Sequence, residues 1–351
     1  MQIFEAMEAY GHEQIVFARD ERVGLRAIVA IHSTVLGPAL GGTRFWNYAT
    51  EEEALVDVLR LSRGMTLKNA AAGLKLGGGK AVILGDPQKL KSRAFFHAYG
   101  RVIEGLGGKF YTAEDVNISA LDVGHMGEAT QFVRGDLCKC GDPSPFTARG
   151  VYMGMKAGAK IQFGTDSLEG KQVVVQGLGS VGYALCAHMH KEGAKLKVHD
   201  INASVVERAV QELGAKAVSA EELLTTEADI FAPCAMGAVL NAENVKHVKF
   251  QLVAGAANNI LADEATADAL KERGILCLPD YIVNAGGAIH CGMKLSEGVY
   301  EADKVHAKID AIYDATLKII ALAKEKQSST DRAAQAYAEE RIQSQLSLKP
   351  L

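Results

Sequence analysis

Two lysines, Lys68 and Lys80, flank a run of consecutive glycines in the stretch GMTLKNAAAGLKLGGGKAVILGD, Gly64 to Asp86. Gly77, Gly78 and Gly79 would let a substrate lie against bare backbone, and Lys80 stands where that backbone enters an apolar strand, Ala81 to Leu84. Taking water from an ammonium lowers its pKa, and a second cation nearby lowers it further. Lys80 therefore suits a general base, while a still-charged Lys68 suits a carboxylate. The bland alternative is a surface turn with two solvated lysines. A phosphate loop does not fit, because Ala81 stands where a Ser or Thr is required and the glycines lead into a strand instead of a helix N-terminus.

The elements that must position these lysines can be read on either side. Thr50 and Glu53 have capping-box spacing, and Ala54, Leu55, Val58, Leu59 and Ser62 repeat on one helical face, so a helix delivers Met65 and Lys68 to the glycines. Upstream, Leu25 to His32 reads as a strand. Leu36 to Arg44, LGPALGGTR, reads as a loop in which Gly41 and Gly42 can pass close to a ligand. Ser92 to Leu106 is a second helix, and Phe110 to Asn117, FYTAEDVN, is a strand ending in Glu114 and Asp115. Such a pair of acids is usually a solvated turn. A carboxylate close to Lys80 would instead hold both groups ready to exchange protons with an amine.

Gly135 to Pro145, GDLCKCGDPSP, is the clearest break in composition and reads as a linker. A helix over Ala148 to Ala159 follows, with Thr147 as its N-cap. The strand Lys171 to Gln176 then runs into Gly177-Leu178-Gly179-Ser180-Val181-Gly182 and an apolar helix. Here the first glycine permits a tight turn, the second lets a pyrophosphate approach the backbone and the third brings helix against strand. A second strand ends in Asp200, about twenty residues on, an acid that suits a ribose 2′-hydroxyl and repels a 2′-phosphate; NAD is favoured over NADP. Short apolar strands at Asp229 to Ala232, Gln251 to Ala254 and Ile275 to Leu278 alternate with helical stretches, the rhythm of a doubly wound parallel sheet. Polar residues follow each strand, at Cys234 to Gly237, Gly255 to Asn259 and Tyr281 to His290. Gly286 and Gly287 open a helix and suit a hinge, Val305 to Ala323 has helical spacing, and Arg332 to Ile342 reads as a short last helix.

At 351 residues and 48% hydrophobic the chain can build two cores, and its formal charge of −4 gives no case for nucleic acid or anionic membrane as partner. No segment reaches the roughly 20 apolar residues that span a bilayer, and no signal segment is evident, so a cytoplasmic protein is expected. The six cysteines, including Cys138 and Cys140, read as structural thiols, and neither they nor the ten histidines show metal-ligand spacing.

From Gln14 to about Met293 the sequence resembles the amino acid dehydrogenases that act on leucine, valine, phenylalanine and, more distantly, glutamate, through GMTLKNAAAGLKLGGGK, TAEDV, GLGSVG, PCAMGAVLN, AGAANN and PDYIVNAGGAIH. The resemblance implies an α/β fold with a substrate domain over 1–138, to which 331–351 packs back, an NAD domain over 147–330, and a cleft between them. It also implies reversible oxidative deamination of an L-amino acid to a 2-oxo acid and ammonia by a homo-oligomer, an octamer or a dimer. Residue by residue, it implies that Lys68 binds the substrate carboxylate, Lys80 is the base and Asp115 the catalytic aspartate that exchanges protons with the amine, with Leu40, Ala113, Ala288 and Cys291 lining the side-chain pocket and Gly41 and Gly42 against the substrate. Thr147 would bond the nicotinamide, Ala235 and Met236 would meet the adenosine ribose with Cys234 beside them, and Asn258 or Asn259, with Asn284, would meet nicotinamide or substrate. TAEDV is leucine-like and GGAIH phenylalanine-like, so branched-chain substrates are expected first and phenylalanine or tryptophan second. A non-catalytic NAD sensor is the rival from another class, disfavoured by the presence of Lys68, Lys80 and Asp115.

Overall fold

The computed structural model describes residues 2–134, 141–235 and 237–348, which divide into two compact units. Unit 1 is Met1–Asp142 with two returning segments, Cys291–Tyr300 and Ala338–Leu351; unit 2 is Pro143–His290 with Glu301–Tyr337. Cys138, Cys140 and Met236 lie outside the described residues.

Unit 1 runs α1 (Ile3–Tyr10), β1 (Gln14–Asp20), β2 (Leu25–Ser33), β3 (Ala39–Trp46), α2 (Glu51–Ala71), β4 (Gly77–Leu84), α3 (Pro87–Leu90), α4 (Arg93–Glu104), β5 (Phe110–Ala113) and α5 (Ala120–Gly127). Its five-stranded sheet has the order β1-β2-β4-β3-β5, with β1, β2 and β4 antiparallel in turn and β3 parallel to both β4 and β5. One face carries Phe45, Phe95, Phe96, Tyr99 and Phe110, all fully buried, and the other carries α2 through Ala54, Leu55, Val58 and Leu59. Thr50 caps α2 by accepting from Glu53 N at 3.1 Å, as the spacing predicts.

The stretch expected to be a loop, Leu36 to Arg44, contributes most of strand β3. Glycine disfavours strands only where its missing side chain is a loss; at Gly41 a Cβ would lie 1.8 Å from the Gly79 carbonyl oxygen, so bareness is what lets the two strands run side by side. The same holds for the glycine run, which lies inside β4 and not in a turn before it. Cβ atoms at Gly77, Gly78 and Gly79 would meet Ser33 O at 1.9 Å, Thr66 N at 2.1 Å and the Phe110 ring at 2.7 Å. The space beside these glycines is therefore taken by the protein's own atoms, where the sequence pointed to a substrate.

Unit 2 contains α6 (Ser144–Phe163), β6 (Gln172–Gln176), α7 (Ser180–Lys191), β7 (Lys195–His199), α8 (Ala203–Leu213), β8 (Lys216–Ala217), β9 (Ile230–Pro233), β10 (Leu252–Val253), α9 (Glu264–Glu272), β11 (Leu276–Cys277) and α10 (Asp280–Val283). After these come α11 (Gly286–Glu297), whose second half belongs to unit 1, α12 (Ala302–Asp310), α13 (Ile312–Glu325) and α14 (Thr330–Leu346), which ends in unit 1. The sheet is wholly parallel in the order β11-β10-β9-β6-β7-β8, so the winding reverses between β6 and β9. That reversal is the topological switch point at which such sheets bind ligands. The expected single helix over Val305 to Ala323 is two helices, α12 and α13, meeting at Ala311, and the last helix is longer than expected. Gly286 and Gly287, expected as a hinge, are packed against the first turn of α6, with Phe146 O 1.9 Å and Thr147 Oγ1 2.5 Å from where their Cβ atoms would be. Among the described residues no helix is long and apolar enough to cross a membrane.

Candidate active site and nucleotide-binding loop

In unit 1, β4 holds Lys80 at the centre of the sheet, between Ala30 of β2 and the parallel strand β3. Its side chain is only 7% exposed, and its Nζ lies 3.1 Å from Asp115 Oδ1. Asp115 reaches it because the chain leaves β5 at Ala113 and is then held by Val116 O, which accepts from Phe45 N at 3.0 Å, while Asn117 turns in the left-handed region at φ 57°. A Cβ on Gly42 would meet Glu114 O at 2.3 Å and Asp115 Cβ at 2.9 Å, so Gly42 makes room for the acid itself.

Burial pushes the Lys80 ammonium below the usual lysine range, against the opposing field of Asp115. Burial would raise Asp115, but the charges of Lys80 and Arg44 outweigh it and keep the carboxyl below its usual range. The pair thus holds a carboxylate beside an amine that sheds its proton more readily than a free lysine does.

Sequence reasoning passed over Arg44. Its Nε donates to Asp115 Oδ2 at 3.1 Å and its Nη1 to Asp57 Oδ2 at 2.9 Å, and the Tyr48 hydroxyl donates to the same Asp57 oxygen at 2.6 Å. The available signal was Asp57, a charged residue beside Val58 and Leu59 on the buried side of α2.

Met65 and Lys68 lie on the last turns of α2, half-buried. The Asn69 side chain donates to Gly77 O at 2.6 Å, and Gly78 lets the helix backbone at Thr66 approach β4, so the glycines seat the segment that carries Lys68. Met65 Cγ is 3.3 Å from where a Gly41 Cβ would be, and Gly42 pairs with Ala113. The end of α2 is fixed by Arg341 of α14, which donates to Ala70 O at 2.6 Å. The loop after α2 is tied to the other returning segment, with Lys75 N donating to Ser296 Oγ at 2.9 Å. That segment brings the turn of Cys291 against Leu40, whose Cδ2 lies 3.4 Å from where a Gly292 Cβ would be. The structure therefore gathers Leu40, Gly41, Gly42, Met65, Lys68, Lys80, Ala113, Asp115 and Cys291 in unit 1, while Ala288 falls in unit 2.

In unit 2, Gly177 follows β6 with φ 93°, and its N–H donates to His199 O at 2.8 Å. A Cβ there would be 2.7 Å from Ala235 Cβ, and one at Gly182 would be 2.1 Å from Gly177 O, so the first and third glycines serve the fold of the loop. At Gly179 a Cβ would meet no protein atom within 4 Å. Gly179 is also the N-cap of α7, with no side chain capping the helix whose first residues are Ser180 and Val181. Uncapped N–H groups and a bare approach are what a pyrophosphate needs. Asp200 accepts from Leu178 N at 2.6 Å and Asn202 N at 2.8 Å, which fixes its carboxylate beside the loop. These residues fit a dinucleotide.

Across the switch point, Cys234 N donates to Gln176 O at 2.7 Å, and burial pushes its thiol up to about 11. Asn284 donates to Asn258 Oδ1 at 2.8 Å and Ala256 O at 3.1 Å, while Asn259 occupies a left-handed turn at φ 53°. Thr147 is not an N-cap: α6 begins at Ser144 after Pro143, and the Thr147 hydroxyl donates back to Pro143 O at 3.2 Å.

A parallel dinucleotide-type sheet in one unit and a buried lysine–carboxylate pair in the other fit a dehydrogenase with proton-transfer chemistry. The chain belongs to the Glu/Leu/Phe/Val dehydrogenase family and is an amino acid dehydrogenase: residues 12–136 match that family's dimerisation domain and residues 196–348 its Glutamate/Leucine/Phenylalanine/Valine dehydrogenase domain. It is 52% identical to leucine dehydrogenase of Geobacillus stearothermophilus over 346 residues, covering 98% of this chain and 94% of that one. Leucine dehydrogenase of Thermoactinomyces intermedius is also 52% identical over 346 residues, with the same coverage. The crystal structure of L-tryptophan dehydrogenase from Nostoc punctiforme superposes with a TM-score of 0.88 at 41% identity, covering 98% of this chain and all of that one. The family's dehydrogenases use a nicotinamide cofactor and interconvert amino and 2-oxo acids.

Proposed function

We propose that this enzyme catalyses the reversible, NAD-dependent oxidative deamination of L-leucine and related branched-chain amino acids to 2-oxo acids and ammonia. The observation that carries the reading is the 3.1 Å pair of Lys80 and Asp115, buried where the Met65–Lys68 turn is seated. Lys68 holds the α-carboxylate. A nicotinamide cofactor held by the Gly177–Gly182 loop would supply the acceptor for the hydride that leaves Cα. Lys80, neutral, takes a proton from the water that attacks the resulting iminium carbon, and Asp115, having first taken a proton from the substrate's ammonium group, returns it to the nitrogen and accepts the hydroxyl proton as ammonia leaves.

Asp200 beside Gly177–Gly182 supports NAD over NADP, since a second phosphate there would face a fixed carboxylate. Ser180 and Val181 at the start of α7 would bind the pyrophosphate, with Ala235 and Met236 on the ribose side. Thr147, Asn258, Asn259 and Asn284 remain the proposed contacts to nicotinamide or substrate. Leucine preference is supported by the two leucine dehydrogenases that share half of this sequence. Leu40, Ala113, Ala288 and Cys291 are the proposed pocket wall, over which a change of a few methylenes is worth about 1–3 kcal/mol. The matched dimerisation domain supports a homo-oligomer, and thiols outside any disulfide at Cys186, Cys234 and Cys277 support a reducing, cytoplasmic setting.

The test is NADH formation with leucine, valine, phenylalanine and tryptophan at equal concentrations. The highest kcat/KM with leucine is expected. A preference for phenylalanine or tryptophan would move the assignment to the aromatic enzymes, and no turnover with any of the four would favour a non-catalytic NAD sensor.

A further inference from the structure

The Lys80–Asp115 pair contains an electrostatic conflict. A carboxylate 3.1 Å from a buried ammonium stabilises the ammonium, which is the wrong state for a base. Once Lys80 gives up its proton, Asp115 would be a largely buried charge facing a neutral amine, a costly arrangement without another cation. The other cation is Arg44. Its Nε donates to Asp115 Oδ2, while Lys80 Nζ lies 3.1 Å from Oδ1 of the same carboxylate, and the Arg44 Nη1 is anchored on Asp57 Oδ2. Asp57 is in turn fixed by the Tyr48 hydroxyl at 2.6 Å, and burial together with Asp57 holds that phenol above its usual range, so it stays a neutral donor.

We propose that Arg44 is a positioning residue of the reaction: clamped by Asp57, its guanidinium shares Asp115 with Lys80 and lets a carboxylate and a neutral amine stand side by side. The proposal rests on the reading of Lys80 as base and Asp115 as proton carrier. The charges that weigh most on Lys80 are Asp115 after β5, Arg44 on β3 and Asp57 on α2. From β2, Ala30 faces Lys80 across the ladder, and His32 is engaged with Thr66 Oγ1 and Tyr10 O. Lys68 lies three turns beyond Asp57 on α2. Arg44 and Asp57 push Lys80 in opposite directions, Arg44 towards the amine and Asp57 towards the ammonium. This opposition separates the proposal from a merely structural role, because damage to the fold would move both variants the same way.

The experiment is the pH profile of kcat/KM for leucine oxidation in wild type, Arg44→Gln, Arg44→Lys and Asp57→Asn, with NAD binding as a control for folding and Lys80→Ala as a control for the base. The acid limb reports the free enzyme's essential base, and the substrate's own titration is common to all variants. In Arg44→Gln the limb moves to higher pH by at least about one pH unit, with kcat reduced more than KM is raised. Arg44→Lys recovers part of that movement, and Asp57→Asn moves the limb to lower pH by a smaller amount. Limbs that stay in place, or that move the same way in Arg44→Gln and Asp57→Asn, overturn the proposal while leaving an inactive Lys80→Ala as evidence for the base. Turnover retained by Lys80→Ala overturns the base assignment and this proposal together. Should Arg44→Gln fail to fold, the direction of the Asp57→Asn limb decides alone.

Discussion

The two units each contain a glycine run, and the runs do opposite things. In β4 the missing side chains of Gly77, Gly78 and Gly79 make room for Ser33, Thr66 and Phe110, so that a helix and two strands close on Lys80. After β6 the missing side chain of Gly179 makes room for nothing in the protein. One run excludes water from a lysine whose proton matters, and the other leaves backbone N–H groups open to an anion. On the proposed reading, packing in unit 1 would set the chemistry and exposed backbone in unit 2 would hold the nucleotide.

Substitutions should separate the two accordingly. Gly78→Ala would drive a methyl into the α2 backbone at 2.1 Å from Thr66 N, where no rotamer change relieves it. Overpacking against backbone should cost about 3 kcal/mol or more, seen as a loss of thermal stability together with activity. A stable, active Gly78→Ala enzyme would mean that α2 does not need the glycine to seat Lys68. Gly179→Ala should do the reverse. Thermal stability is expected to stay within about 0.5 kcal/mol of wild type, while the KM for NAD rises about tenfold through lost approach of the pyrophosphate. An unchanged KM would remove Gly179 from the nucleotide site.

Acid should loosen unit 1 through a group that takes no part in the reaction. His12 is buried, donates to or accepts from Ser62 Oγ of α2 at 2.7 Å, and is pushed down to about 4 by burial and by the neighbouring His32. Its folded pKa is below its unfolded value of 6.5, so the unfolded chain binds the proton more readily and stability falls as pH falls from about 6.5 to 4. The loss should reach about 3 kcal/mol by pH 4, and denaturant melts of His12→Gln should lack that component. The smallest effect is expected at Asp200, where Asp200→Ser should improve the NADP to NAD ratio of kcat/KM with no change in the Lys80-dependent pH profile.

The strand–loop–helix at Gly177 to Gly182 was legible in the sequence because everything that defines it is local: a strand, three spaced glycines, a helix and one acid at the end of the next strand. The glycines of β4 were not, because what crowds them comes from elsewhere in the chain, Ser33 and Phe110 among them. A glycine's tolerance of close approach can be read from sequence, but the atom that approaches cannot. Arg44 escaped for the same reason, since its partner Asp115 is 71 positions away. The start of α6 was misplaced for a different one. Thr147 looked like a cap, while Pro145 in the first turn was the stronger sign that the helix had already begun.

The central claim, that unit 1 performs the proton chemistry while unit 2 holds the nucleotide, is tested most directly by Lys80→Ala. Leucine oxidation should fall by about a thousandfold or more while the Kd for NAD, measured by calorimetry, stays at the wild-type value. Turnover within tenfold of wild type, or a Kd for NAD that rises with the loss of activity, would contradict it.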